Sequence, residues 1–222
     1  MDTRSLLLKV VAAALHYPGP ELRAALPELR TAVAARCGAL RGAAPVERFL
    51  SEVEPMELLR WQAEYVATFD RGRARSLYLF EHVHGESRAR GAAMVELGRL
   101  YAAHGYRMDT RELPDYLPAF LEFLSLLDWE EAARWLEGAA DVLDAIRARL
   151  AADASRYTLL FEALAELAGG EAGLPAAPLV ERDDSPAALD EAWAEPAVDF
   201  GAPGAACAGC DPAGPVSPGC GG

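Results

Sequence analysis

The residues of this 222-residue chain with most chemistry to offer are its four cysteines and four histidines. Cys207 and Cys210 form a Cys-x2-Cys pair, with Cys220 following in the same terminal stretch. A chelating pair plus one thiolate gives three of the four ligands a structural zinc site takes. That stretch contains no histidine, and Cys37 lies far upstream. The expectation is accessible, incidental thiols. His82 and His84 are two residues apart, with Glu81 and Glu86 beside them. On a helix this spacing points the imidazoles to different faces, whereas a loop could bring both to one ion. No His-x3-His or His-Glu-x-x-His spacing is present, so the reading is a polar loop whose imidazoles hydrogen-bond, with no metal. His16 and His104 fall at predicted helix ends, where they can cap carbonyls. A glycine-rich phosphate loop and a Gly-x-Ser-x-Gly elbow are both missing. Adjacent carboxylates such as Glu130 and Glu131 point apart. These residues predict no enzyme, no cofactor and no metal centre.

The elements that carry these residues are helical. Leu6, Leu7, Val10, Val11, Ala14 and Leu15 share one face at helical spacing. This N-terminal run resembles a secretion signal only superficially, because Asp2 and Lys9 interrupt the required charge and apolar patterns. It is read as a first core helix. Leu22, Leu26, Leu29 and Val33 mark a second helix from Pro20 to near Gly38. Val46, Phe49, Leu50 and Val53 mark a third after Pro45, and Leu58, Trp61, Tyr65 and Phe69 a fourth with Pro55 at its start. An arginine-bearing loop, Asp70 to Arg75, leads to Leu77–Phe80 and the polar cluster 81–86. Met94, Leu97 and Tyr101 mark a longer helix ending at His104-Gly105. Pro114 opens the next, in which Leu117, Phe120, Leu121 and Leu124 face inward, beside Tyr116 and Phe123. Asp128 caps a helix from Trp129, Val142 to Leu150 form another, and Ser155 caps the last. Period-two alternation is absent, so the predicted class is all-α: a single helical-bundle-like domain of about eight or nine helices over residues 1–168.

Residues 169–222 differ in kind. Positions 170–222 hold 9 Gly and 8 Pro among 53 residues and supply −8 of the formal charge of −13. Such composition cannot bury enough apolar surface to offset its ordering entropy, which predicts a disordered acidic tail. Leu189, Trp193, Val198 and Phe200 give one stretch of it something to dock with. The acidic balance disfavours nucleic acid as a partner and favours a neutral or basic polypeptide. No run approaches the ~18 apolar residues of a membrane span, so the expectation is a soluble, cytoplasmic protein without membrane insertion.

The segment from Tyr65 to Glu86, Y-V-A-T-F-D-R-G-R-A-R-S-L-Y-L-F-E-H-V-H-G-E, resembles the NarJ branch of the TorD/DmsD group of molybdoenzyme assembly chaperones. The likeness continues through Ser87-Arg88, Arg90-Gly91 and Met94, then Glu112 to Pro118 and Leu121 to Leu124, and reaches Ala192 to Phe200. It implies an all-helical, non-catalytic protein that binds the N-terminal segment of the nitrate reductase catalytic (alpha) subunit and holds the apoprotein during molybdenum cofactor insertion. Cofactor-delivery proteins are a further implied partner. The wider group carries a Glu-Pro-x-Asp-His-like signature; Glu81-His82-Val83-His84 stands at that point without the proline and aspartate.

The implied mode of recognition is an amphipathic helix laid in an apolar groove. Tyr65, Phe69, Leu79 and Phe80 are expected on one side of the groove, and Tyr116, Leu117 and Phe120 on the other. Glu81, His82, His84, Glu86 and Asp115 are expected at its polar edge. A histidine in contact with the peptide makes affinity vary between about pH 6 and 8. Two alternatives stay open: a chaperone of another molybdoenzyme, binding a twin-arginine signal, and a metal or cofactor carrier using the cysteine tail.

Overall fold

A computed structural model of the protein describes residues 2–84, 88–108 and 112–169, all in one compact unit. The tail from residue 170, with its cysteines and Trp193, and the predicted edge residue Glu86 lie outside the described residues.

The first helix, α1 (Thr3–Leu15), starts where the Asp2 carboxylate accepts the Thr3 amide proton at 2.7 Å. Leu7, Leu8, Val11 and Leu15 are fully buried, and Ser5, Val10, Ala12 and Ala14 nearly so. A helix apolar most of the way round is central, and α1 packs on both α7 (Leu117–Leu124) and α2 (Pro20–Cys37). Pro20 sits in the first turn of α2, where its missing N–H costs nothing. Next comes α3 (Ala43–Val53), reached through Gly42 at φ 87°. Only glycine fits there: a Cβ would stand 2.7 Å from the Ala163 carbonyl oxygen. The Gly42 amide donates to Glu166 at 2.6 Å, pinning this turn to α10 (Thr158–Leu167).

In α4 (Leu58–Phe69), Trp61, Tyr65 and Phe69 lie on the buried face. The Trp61 indole N–H donates to the Tyr157 hydroxyl at 2.9 Å, and the rings of Phe49, Tyr65 and Phe69 lie 4.8–6.0 Å from Tyr157. After a 3₁₀ turn at Arg73–Arg75 come α5 (Leu79–His84) and α6 (Arg88–Ala103). Gly105, at φ 72°, ends the turn after α6 in the left-handed form. Beyond α7, α8 (Trp129–Gly138) and α9 (Ala140–Ala152) lead to α10, which packs on α9 and α3.

The all-α class therefore holds among the described residues, with ten α-helices rather than eight or nine. The added one is α5, where the sequence suggested a polar loop. Pro114 does not open α7; Leu117 does, with Pro118 in the first turn. Asp115 and Tyr116 are instead drawn into an isolated antiparallel bridge between Tyr78 and Tyr116. Pro55 lies in the turn between α3 and α4. Tyr157 occupies the cap of α10, and the Ser155 hydroxyl oxygen accepts the Tyr157 amide proton at 3.4 Å. No described helix is long and apolar enough to cross a membrane.

Candidate functional site

Residues 76–82 and 112–117 run past one another and tie three helices together. The Leu117 amide donates to Leu77 O at 2.8 Å, and the Leu79 amide donates to Asp115 O at 3.0 Å. Asp115 is fully buried, and its Oδ2 accepts the Phe80 amide proton at 3.1 Å. It thus satisfies one of the first-turn N–H groups of α5 that no helical carbonyl can reach. Arg90 of α6 bridges Glu81 at 3.1 Å and Asp115 at 3.5 Å. Burial raises the Asp115 carboxyl above its usual range, with Arg90 and the Phe80 amide pulling the other way. The Tyr101 hydroxyl donates to Pro114 O at 2.8 Å and holds the far end.

On the other side, the connector is fastened to α9. His82 Nε2 lies 2.8 Å from Ser76 O, which places the proton on Nε2 and leaves Nδ1 facing Arg149 at 3.4 Å. Arg149 also donates to Ala74 O at 2.8 Å. Arg75 donates to Thr68 O at 3.0 Å and pairs with Asp153.

A run of rings lies where α1, α4 and α7 meet, with Tyr65 and Tyr116 buried at its centre and Tyr17 exposed. Tyr65 donates to Leu15 O at 3.0 Å, and its hydroxyl is 3.4 Å from that of Tyr116. Tyr17 stands edge-on to Tyr65, while Tyr78 and His16 lie against Tyr116 with centroids at 5.4 and 5.6 Å. Burial pushes the hydroxyls of Tyr65, Tyr78 and Tyr116 above the usual tyrosine value, so all three stay protonated donors.

Of the residues expected to line a groove, Tyr65, Phe69, Leu79, Tyr116, Leu117 and Phe120 are buried, each under 10% exposed. As placed here they form core and do not line an open cleft, because α7 is apolar on almost every face and is enclosed by its neighbours. Phe80, Glu81 and His84 are half-buried, with the His84 ring 5.7 Å from Phe80. Of the residues expected at the polar edge, Glu81 and Asp115 are joined through Arg90, and Phe80, expected on the apolar side, donates its amide proton to Asp115. His82 turns away toward α9, as helical spacing from His84 dictates. The surface residues beside the cluster that sequence reasoning did not single out are Tyr17, Tyr78 and Glu112. His16 was read only as a cap, although its ring packs on Tyr116. An aromatic next to a proline, as in Tyr17-Pro18, was the available signal.

Among the described residues no group of three His, Cys, Asp or Glu side chains could hold a metal ion. Cys37 is buried, which raises its thiol above the ordinary range and keeps it un-ionised.

Residues 20–163 match the family described as nitrate reductase delta subunit. The chain belongs to that family. The nitrate reductase molybdenum cofactor assembly chaperone NarJ of Escherichia coli (strain K12) is 42% identical over 198 residues, 87% of this chain and 84% of that protein. The probable assembly chaperone NarW of the same strain is 38% identical over 87% of this chain and 83% of its own length. A probable NarJ chaperone of Bacillus subtilis (strain 168) is 29% identical over 72% of this chain and 87% of its own length. The family match takes in α2 to α9 and most of α10, and so the whole connector with its Asp115–Arg90–Glu81 cluster.

Proposed function

We propose that this chain is a non-catalytic cytoplasmic chaperone. It binds the N-terminal segment of the apo nitrate reductase catalytic subunit and assists molybdenum cofactor insertion and enzyme assembly. The observation that carries the reading is the connector. Residues 70–84 and 112–116 form an aromatic, acid-edged surface, held to α6 and α9 by a few discrete polar ties, in a chain whose relatives are named as assembly chaperones of nitrate reductase. An amphipathic helix with apolar anchors at i, i+3, i+4 and i+7 suits such a surface. The part-exposed rings of Phe80, Tyr78 and Tyr17 supply first contacts. Deeper contacts with Tyr116 and Phe120 require the connector to shift. Each tie broken in that shift has to be replaced by a contact to the client, because a buried polar group left unpaired costs about 1–3 kcal/mol.

The test is calorimetric titration of a synthetic peptide, the first ~20 residues of the cognate catalytic subunit, into the full chain. Saturable one-site binding near micromolar corresponds to about −8 kcal/mol. That binding is expected to weaken at least tenfold in Phe80→Ala, which unpacks no fully buried ring. No saturable binding by the folded protein contradicts the reading.

A further inference from the structure

The ring cluster on the α1–α4–α7 face offers more than apolar contact. Tyr17 is 51% exposed and stands at 90° to Tyr65, 5.6 Å between centroids. Tyr78 is half-buried beside Tyr116, and the hydroxyls of Tyr65 and Tyr116 join the two ends into one run. Carboxylates converge on this run from separate elements. Glu112 accepts the Tyr78 hydroxyl proton at 2.5 Å, and its charge also acts on Tyr116 and His16. Asp70, at the end of α4, acts on Tyr65 and Tyr116, and Glu122 of α7 acts on His16. Among the described residues none of Glu112, Asp70 and Glu122 is in a salt bridge. His16 does not neutralise them: burial holds its imidazole below the ordinary value of 6.5, so it is uncharged at neutral pH.

We propose that this face is a subsite for one cationic side chain of the client helix, an arginine or lysine held against the Tyr78 ring with Glu112 as counter-ion. The inference rests on the peptide-binding reading above and adds the chemistry by which the client is recognised. A cation within about 6 Å of an aromatic centroid is drawn to the ring by its quadrupole. Guanidinium suits the place better than ammonium, because its plane stacks on a ring while its N–H fork meets a carboxylate. The molecule contains an occupied counterpart: the Arg4 guanidinium lies 5.1 Å from the Trp129 ring centre. At Tyr78 the ring has the Glu112 carboxylate beside it but, among the described residues, no such cation. A purely apolar partner would bury this carboxylate unpaired, at a cost in desolvation that a basic partner removes.

The experiment is a charge-exchange cycle on the full chain. The probe is the peptide of the first ~20 residues of the cognate catalytic subunit. In a companion set, each arginine is replaced in turn by citrulline and each lysine by norleucine. All are titrated by calorimetry into wild type, Glu112→Gln and Tyr78→Leu, with circular dichroism confirming that the variants fold; both substituted side chains are exposed or partly so. One neutralised peptide is expected to bind wild type about tenfold more weakly than its parent, about 1.4 kcal/mol. That gap should shrink to about twofold or less in both variants, as expected when the removed partners interact directly. Equal binding of parent and all neutralised peptides to wild type overturns the subsite and leaves the peptide-binding reading standing. A tenfold gap that persists in Glu112→Gln and Tyr78→Leu also overturns it, by placing the cation elsewhere. A parent peptide that does not bind wild type overturns both.

Discussion

The helical scaffold and the connector that crosses it are stabilised by different means. In the scaffold, α1, α2, α3, α7 and α10 meet through fully buried Leu7, Leu8, Val11, Val33, Phe49, Leu50, Leu117, Leu121 and Phe161 side chains. The contacts are many and individually weak, and their sum resists local opening. The connector, residues 70–84 with 112–116, has few buried apolar side chains and depends on named hydrogen bonds: Asp115 to Phe80, Arg90 to Glu81, Arg149 to Ala74, His82 to Ser76. Bonds of this kind can be exchanged singly for a partner's. A protein that must hold a client and later release it benefits from placing its binding surface on the second kind of structure and anchoring it to the first.

The contrast is broken most severely by a void in the scaffold. Leu117→Ala empties a fully buried position against α1 and should cost about 2–5 kcal/mol in urea unfolding. Removing the hydroxyl in Tyr157→Phe strands the buried Trp61 N–H, and about 1–3 kcal/mol should be lost. Gly42→Ala forces a side chain into the left-handed region against Ala163 O and should cost a similar 1–3 kcal/mol, roughly. In the connector, Arg149→Met removes the ties to Ala74 and His82. Global stability should then change by only about 1 kcal/mol, while amide exchange across 74–82 quickens. A global loss as large as that of Leu117→Ala would show the two regions to be one cooperative unit. The smallest effect is at His16. Its imidazole binds protons less readily folded than unfolded, so stability falls as pH drops below 6.5 and is flat above it. His16→Gln should remove that part of the slope in thermal melts between pH 5 and 7, roughly.

The scaffold was legible because its signal is periodic. Leu6 to Leu15, and Trp61 with Tyr65 and Phe69, sit at helical spacing in the sequence and face the core in the structure. The connector was not, because its order comes from partners distant in sequence. Nothing near Phe80 announces that Asp115, 35 residues on, will satisfy its amide, and so the polar cluster from Glu81 reads as loop although Leu79–His84 folds as α5. The same blindness affected the site. Tyr65, Tyr116 and Phe120 were chosen as aromatics on apolar helices, a signal that marks core as readily as groove, and here they are core. Tyr17 follows His16 at the end of α1 and Tyr78 stands alone in a bridge, so neither belongs to a stripe; only folding brings both to Tyr65 and Tyr116.

Hydrogen–deuterium exchange of the full chain, with and without a saturating catalytic-subunit N-terminal peptide, tests the central claim most directly. The account predicts that exchange changes at 76–84, at 112–117 and at the end of α1, while α2, α3 and α10 keep the rates of the free protein. Changes confined to α2, α3 or α10, or an unchanged connector at saturation, would contradict it.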